Sequence, residues 1–370
     1  MKRKMAAGIL LKIIMKVVIV LVLATVLFLM TVKVTGKGEI EPFRNADGSI
    51  MENSIAERIF VDINGRQNGM IIRGKDLNNP VLLFISGGPG VPQYWLNEYY
   101  DNKIEENYTV CWWEWYGEGM SYDSKLQKNE ITMESLTKDA QSVAKYLRQR
   151  FGKEKIYLMA HSGGTPLGLT LAQNDEEDFY CYFAMGQYLN EDGSRYTAGY
   201  EYLKQYFTEQ NDKKSLEKLD NLMEKNPDGI MVPSDPDSIA GKWEGLLLKA
   251  GCGTTREMRS DALDIFFPQI FSKCYTFSEK INFWRGKFLN TGTPYHLESI
   301  STDEKQTVIP VYFISGRYDY TCPVTLVEEL YENLDAPDKG MYIFEDSAHS
   351  PLWEENEAVL EVMKQHTLTE

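Results

Sequence analysis

The segment KIYLMAHSGGTPLG, residues 155–168, constrains this chain more than any other stretch of it. An apolar run that reads as a strand passes through Ser162 directly into a run that reads as a helix. Ala160 and Gly164, two residues before and two after the serine, are small enough for strand and helix to approach across a sharp turn. Such a turn exposes the serine at its tip, with a helix N-terminus beneath it where developing negative charge is favoured. Taken alone, the segment is also compatible with a glycine-rich strand-to-helix turn carrying an incidental serine. A serine hydroxyl is a poor nucleophile at neutral pH and needs an imidazole to take its proton and a carboxylate to orient that imidazole, so residues elsewhere must decide.

The surrounding pattern supplies a matching architecture. RIFVDING and NGMIIRG predict a hairpin, PVLLFIS (80–86) a buried strand and YTVCWWEW (108–115) another. Leu136, Ala140, Val143, Ala144, Leu147 and Phe151 recur at helical spacing, with Thr132 as N-cap and Glu134 in the first turn. KIYLMA predicts a strand, residues 164–172 a helix, and FYCYFAMG (179–186) a strand again. Alternating strands and helices imply an α/β fold with a mostly parallel sheet covered by helices on both faces. Residues 188–303 break this rhythm with helical patterns and loops such as KNPDGIMVPSDPDS, and it resumes at TVIPVYFIS (307–315). The predicted organisation is a basic tip and anchor (1–36), a first core part (37–187), a helical cap insertion (188–303) and a second core part (304–370).

IPVYFISGRYDYTCP places Asp319 in the loop leaving a strand, and MYIFEDSAHSPLWE places His349 in the loop leaving the next. The chain order Ser162, Asp319, His349 is that of the α/β-hydrolase fold. Four histidines are available: His161 adjoins the serine and should point elsewhere, His296 lies in the insertion and His366 in the last helix. Asp303 and Asp346 are rival acids but do not follow a strand as the fold requires. FISGGPG (84–90) lacks the G-x-x-x-x-G-K-[ST] pattern of a phosphate loop and reads better as an oxyanion loop. Gly88 and Gly163 are the expected backbone donors, and losing one such donor costs about 3 kcal/mol of transition-state stabilisation.

Together SGGPG, AHSGG, GRYDYTCP and SAHSP resemble the α/β-hydrolase fold proteins of the proline iminopeptidase (prolyl aminopeptidase) group, over roughly residues 55–370. WWEWYGEGMS (112–121) stands in the place of the family's D-Q-R-G-x-G-x-S, and KWEG (242–245) is similar to a cap motif ending in Trp-Glu. Ser86 replaces the histidine of H-G-G-P-G, and Tyr116 stands where the family has arginine. The resemblance implies an aminopeptidase that holds the substrate's ammonium group on acidic cap residues. Glu244 beside the face of Trp243 would serve here, against the plainer reading of a solvated glutamate next to a core tryptophan.

Composition narrows the setting. Residues 1–36 carry six basic and no acidic side chains, leaving 33 Lys and Arg against 54 Asp and Glu in the body. Such a surface is expected to repel nucleic acid and anionic lipid and to favour cationic ligands. The cysteines at 111, 181, 252, 274 and 322 lack metal-ligand spacing or an even count, which argues against a zinc site or a disulfide framework and for buried thiols. VVIVLVLATVLFLMTV (17–32) covers about 24 Å of a hydrocarbon core about 30 Å thick, so it spans if the bilayer thins or Lys16 and Lys33 snorkel. Basic residues before it put the N-terminus in the cytoplasm and the body outside. No A-x-A-like site or lipobox cysteine follows, which favours an uncleaved single-pass anchor in the cell membrane over a cleaved signal peptide and a secreted body. The expectation is a membrane-anchored serine hydrolase without metal or organic cofactor, acting on short peptides or amides with a free N-terminus. A carboxylesterase is the runner-up, and a non-catalytic binding protein is the alternative of another class. Epoxide hydrolase and haloalkane dehalogenase chemistry needs an aspartate nucleophile, which Ser162 disfavours.

Overall fold

The computed structural model describes residues 2–100, 102–189, 193–235, 238–298 and 300–368, with side chains from Lys12 onward. Lys2, Arg3 and Lys4 of the basic tip therefore lie outside the described side chains. Eight strands form one sheet: β1 (Ile55–Ile63), β2 (Arg66–Gly74), β3 (Val81–Ile85), β4 (Thr109–Glu114), β5 (Ile156–His161), β6 (Phe179–Met185), β7 (Val311–Gly316) and β8 (Lys339–Phe344). Their order is β1-β2-β4-β3-β5-β6-β7-β8. The first hairpin pairs antiparallel with itself and with β4, and every other pairing is parallel. Asn64 and Gly65 join β1 to β2 with φ of 51° and 82°, the paired positive values of a type I′ turn whose twist suits a hairpin.

Parallel strands need helical crossovers on both faces, so their side chains are covered above and below. β3, β4, β5 and β7 are accordingly buried at every residue. Alternation divides them between two cores, with Leu83 and Ile85 on one face and Leu82 and Phe84 on the other. The helix Met133–Phe151 packs Leu136, Val143 and Leu147 into the first core. Thr132 caps it by accepting from Ser135 N–H at 3.1 Å, and Gly152 ends it with φ 63°. All five cysteines are free and buried.

Between β6 and β7 the chain leaves the sheet for helices that include Ser194–Glu209, Lys213–Leu222 and Ala240–Lys249, which share an apolar core of their own, and Phe277–Asn290, which packs Phe283 and Trp284 into the second sheet core. The stretch expected to be loop after residue 224 contains part of a small antiparallel hairpin, Met223–Lys225 with Met231–Pro233. Three-residue strands are too short to show a period in sequence, and the turn at Gly229 (φ 85°) closes them. The N-terminal helix runs Lys2–Thr35. Its portion Lys12–Thr35 is long and apolar enough to cross a membrane, with a mean hydropathy of 3.0 over an 18-residue stretch.

Candidate active site

β5 ends at His161, and the next residue turns the chain. Ser162 has φ 52°, a left-handed conformation that a side chain adopts at a cost. The helix Thr165–Asn174 follows with Pro166 in its first turn. The turn closes because its neighbours lack side chains. A Cβ on Gly163 would lie 2.5 Å from Gly88 O and 3.2 Å from Gly88 N, so these two glycine backbones are in direct contact. Gly88 itself has φ 139°. Among the described residues, no hydrogen bond engages the Gly88 or Gly163 N–H, whereas the Gly87 N–H donates to Gln93 Oε1 at 3.1 Å. Gly88 and Gly163 thus keep their donors beside Ser162.

Parallel strand order brings the other loops to the same sheet edge. His349, beyond β8, sets Nε2 2.7 Å from Ser162 Oγ and Nδ1 2.8 Å from Asp319 Oδ2. Asp319, beyond β7, is fixed in turn: its Oδ1 accepts the Thr321 and Cys322 N–H groups at 3.0 and 2.8 Å. Burial pushes the His349 pKa down, but the charge and hydrogen bond of Asp319, helped by Glu354, outweigh it and leave the ring above its ordinary value. Ser162 is 9% and His349 8% exposed, so the group is largely shielded from water. Asp346 gives its N–H to Glu355, and neither it nor Asp303 bonds His349 among the described residues. His296 accepts from Gly292 N–H, and His366 stacks on Tyr312 and meets Tyr342. Ser162, Asp319, His349, Gly88 and Gly163 are brought together.

His161 has a place that its sequence neighbourhood does not reveal. Its Nε2 donates to His349 O at 2.8 Å, and its Nδ1 lies 2.6 Å from Gln93 Nε2 and accepts from it. Burial first, and the neighbouring His349 second, hold its pKa well below the ordinary histidine value, so it is a neutral strut. With Gln93 it links Gly87 to the backbone of His349. Gln93 stands 68 residues from His161, and nothing in its local sequence marks it.

Asp319, Cys322 and His349 lie close enough to suggest a metal site. Their chemistry does not fit one. Both Asp319 oxygens are already engaged, and burial raises the Cys322 thiol well above its usual range, whereas metal ligation needs a thiolate.

The insertion reaches the site. Tyr295 donates to Gly163 O at 2.7 Å, Gly253 O accepts the His349 N–H at 3.4 Å, and Glu354 accepts from Ala348 N–H and from Arg256 N–H of the insertion. Trp243 and Glu244 are not brought together as a clamp. They are consecutive in the helix Ala240–Lys249, and consecutive helical residues point to different faces. Trp243 is buried in the insertion's core against Tyr196 and Gly199. Glu244 is on the exposed side, its pKa raised by partial desolvation and then by Asp261, with Lys287 opposing.

A different carboxylate is more deeply placed. Glu118, in the turn after β4, is fully buried, and neither oxygen has a hydrogen-bond partner. Burial, and then Glu114, hold its pKa well above the ordinary carboxyl value, and its charge is felt at Tyr295. Tyr116, in the place of the family arginine, donates to Glu130 O, while Arg66 supplies a guanidinium 4.4 Å over its ring.

Residues 80–356 match the family model described as alpha/beta hydrolase fold. The probable aminopeptidase YbaC of Bacillus subtilis (strain 168) is 28% identical over 319 residues, covering 85% of this chain and 97% of that protein. A proline iminopeptidase structure from Mycobacterium smegmatis superposes with a TM-score of 0.56 at 14% identity, covering 84% of this chain and 98% of that one. An epoxide hydrolase from Bacillus megaterium, in complex with an inhibitor, gives 0.51 at 16%, covering 83% and 99%. At these identities the two structures speak for the fold alone.

Proposed function

The chain belongs to the alpha/beta hydrolase fold family and is a hydrolase of that fold, and from that premise we propose that it is a membrane-anchored serine aminopeptidase acting on short peptides or amides with a free N-terminus. The observation that carries the proposal is the unbroken sequence of contacts Ser162 Oγ, His349 Nε2, His349 Nδ1, Asp319 Oδ2, at 2.7 and 2.8 Å, with Ser162 in a left-handed turn.

In this reading Ser162 Oγ attacks the substrate carbonyl carbon while its proton passes to His349 Nε2. Asp319 holds the ring with Nδ1–H toward itself and stabilises the imidazolium. The Gly88 and Gly163 N–H groups receive the oxyanion. His349 then gives the proton to the leaving amine, and water, activated by the same ring, releases the acyl group. Amide substrates are favoured by the aminopeptidase named among the relatives and by the acidic groups offered to an ammonium ion. Glu244 on the insertion is one such group, and the unpartnered Glu118 is a second. The helix Lys12–Thr35 is the anchor, with the N-terminus in the cytoplasm and the catalytic body on the far side of the membrane.

Labelling with a fluorophosphonate tests the nucleophile: wild type should label and Ser162→Ala should not, with hydrolysis reduced by about four orders of magnitude or more. Paired turnover of proline naphthylamide and nitrophenyl acetate tests the bond; ester turnover alone would make the protein a carboxylesterase, and folded wild type that takes up no label would make it a binding protein. If ammonium recognition rests on either acid, Glu244→Gln or Glu118→Gln raises KM for the amide and spares the ester.

A further inference from the structure

We propose that the segment Ala262–Phe271 and the apolar stripe on the helix Phe277–Asn290 form a second membrane contact, sunk into the same bilayer that the N-terminal helix crosses. The inference rests on reading that helix as the anchor and is independent of the hydrolytic chemistry.

The geometry begins at Phe28, inside the apolar run. Its ring lies edge-on to Phe267 and Phe271, with centroids 6.5 and 5.9 Å apart. One helical turn on, Val32 is buried against the body, and the buried Lys280 donates to Val32 O and Thr35 Oγ1 at 3.4 Å each. Phe28 sits about 6 Å along the helix axis inside Val32. The helix from Ile13 to Val32 reaches about 30 Å, the thickness of a hydrocarbon core, with Lys16 snorkelling. Withdrawing residues 28–32 to keep the body in water would leave about 22 Å, too little without strong thinning. The body must therefore descend to Phe28, and the side chains touching Phe28 descend with it.

Those side chains suit that depth. Leu263 is 46%, Phe267 and Phe271 38%, Ile281 40% and Phe288 72% exposed. Phe277, Ile281, Trp284 and Phe288 repeat at three- and four-residue spacing along one helix face, and Trp284 joins the other segment through Phe266 at 5.4 Å. An aromatic-rich apolar patch with a tryptophan among its members is the composition of an interfacial surface. Lys273 beside it pairs with Glu41, and Asp264 within the first segment pairs with Arg259; Arg285 and Lys287 on the second segment's helix suit an anionic headgroup layer.

Site-directed spin labelling of the full chain in phosphatidylglycerol-containing vesicles tests this. Single cysteines replace Leu263, Phe288, Leu23 within the anchor and Glu332 on the helix that packs against β8; the five native thiols are buried and resist labelling. Collision with oxygen should exceed collision with a water-soluble nickel chelate at 23, 263 and 288, and the reverse should hold at 332. A lipid signature at 23 with water-like values at 263 and 288 would overturn this inference alone. Water-like values at 23 would overturn the anchor on which it rests, and spin–spin broadening at 263 or 288 would assign the patch to a second copy of the chain. Fluorophosphonate labelling of each variant reports the hydrolase site separately.

Discussion

Asp319 and Glu354 raise the affinity of the His349 ring for its proton, and the proposed mechanism needs that ring neutral. The acid limb of kcat/KM should therefore lie above the ordinary histidine value of about 6.5. Asp319→Asn removes the main raising influence, so the limb should move to lower pH while kcat falls by about four orders of magnitude; a limb that stays in place would exclude His349 as the titrating base. A quieter residue has an effect of the same kind. Gln93→Leu leaves Gly87 N–H and His161 Nδ1 buried without partners, at about 1–3 kcal/mol each. A lowered Tm with kcat reduced more than KM is raised is the expected result, and loss of stability alone would make Gln93 merely structural. Ser162, Asp319 and His349 were legible because each follows a strand in the order the fold demands. Gln93, the His161 strut and Glu118 were not, because a bridge between distant loops has no period and no local composition. Trp243 and Glu244 illustrate the converse: resemblance to a cap motif implies a shared site, and one helical step turns the two side chains to different faces.

Among the elements, the sheet was read well because buried parallel strands are continuous apolar runs, and PVLLFIS and KIYLMA have no other stable use. The helix beginning after Thr132 announced its cap. The insertion is legible only as an interruption, since three of its helices bury faces against one another, Phe277–Asn290 packs on the second sheet core, and its hairpin is three residues long on each side. Its attachment to the sheet has a titratable joint. Glu114, the last residue of β4, accepts from Tyr275 Oη and Met120 N–H at 2.6 Å each, and burial lifts its pKa to about 7. The folded state then holds a proton that the unfolded chain releases near pH 4.5, so stability falls as pH rises between those values. In Glu114→Gln the penalty is absent. Thermal melts at pH 5 and 8 should show the variant gaining on wild type by up to about 3 kcal/mol; an unchanged difference would place the proton elsewhere.

At the scale of the whole molecule, one sheet edge gathers Ser162, Asp319 and His349, an insertion touches them through Tyr295 and Gly253, and a helix of the insertion lies beside the N-terminal helix. The seating of the body against the N-terminal helix depends on which faces of two distant segments meet, and the contacts of Phe28 with Phe267 and Phe271 and of Lys280 with Val32 and Thr35 reveal it. The helix Phe277–Asn290 connects these regions. Near its start Lys280 grips the end of the N-terminal helix, and at its finish Asn290 donates to Gly117 O and fills the space above Gly90, two residues beyond Gly88. One helix thus touches both the place where the N-terminal segment meets the body and the loop that carries Gly88, so a substitution that shortens or bends it would disturb two distant parts of the molecule together.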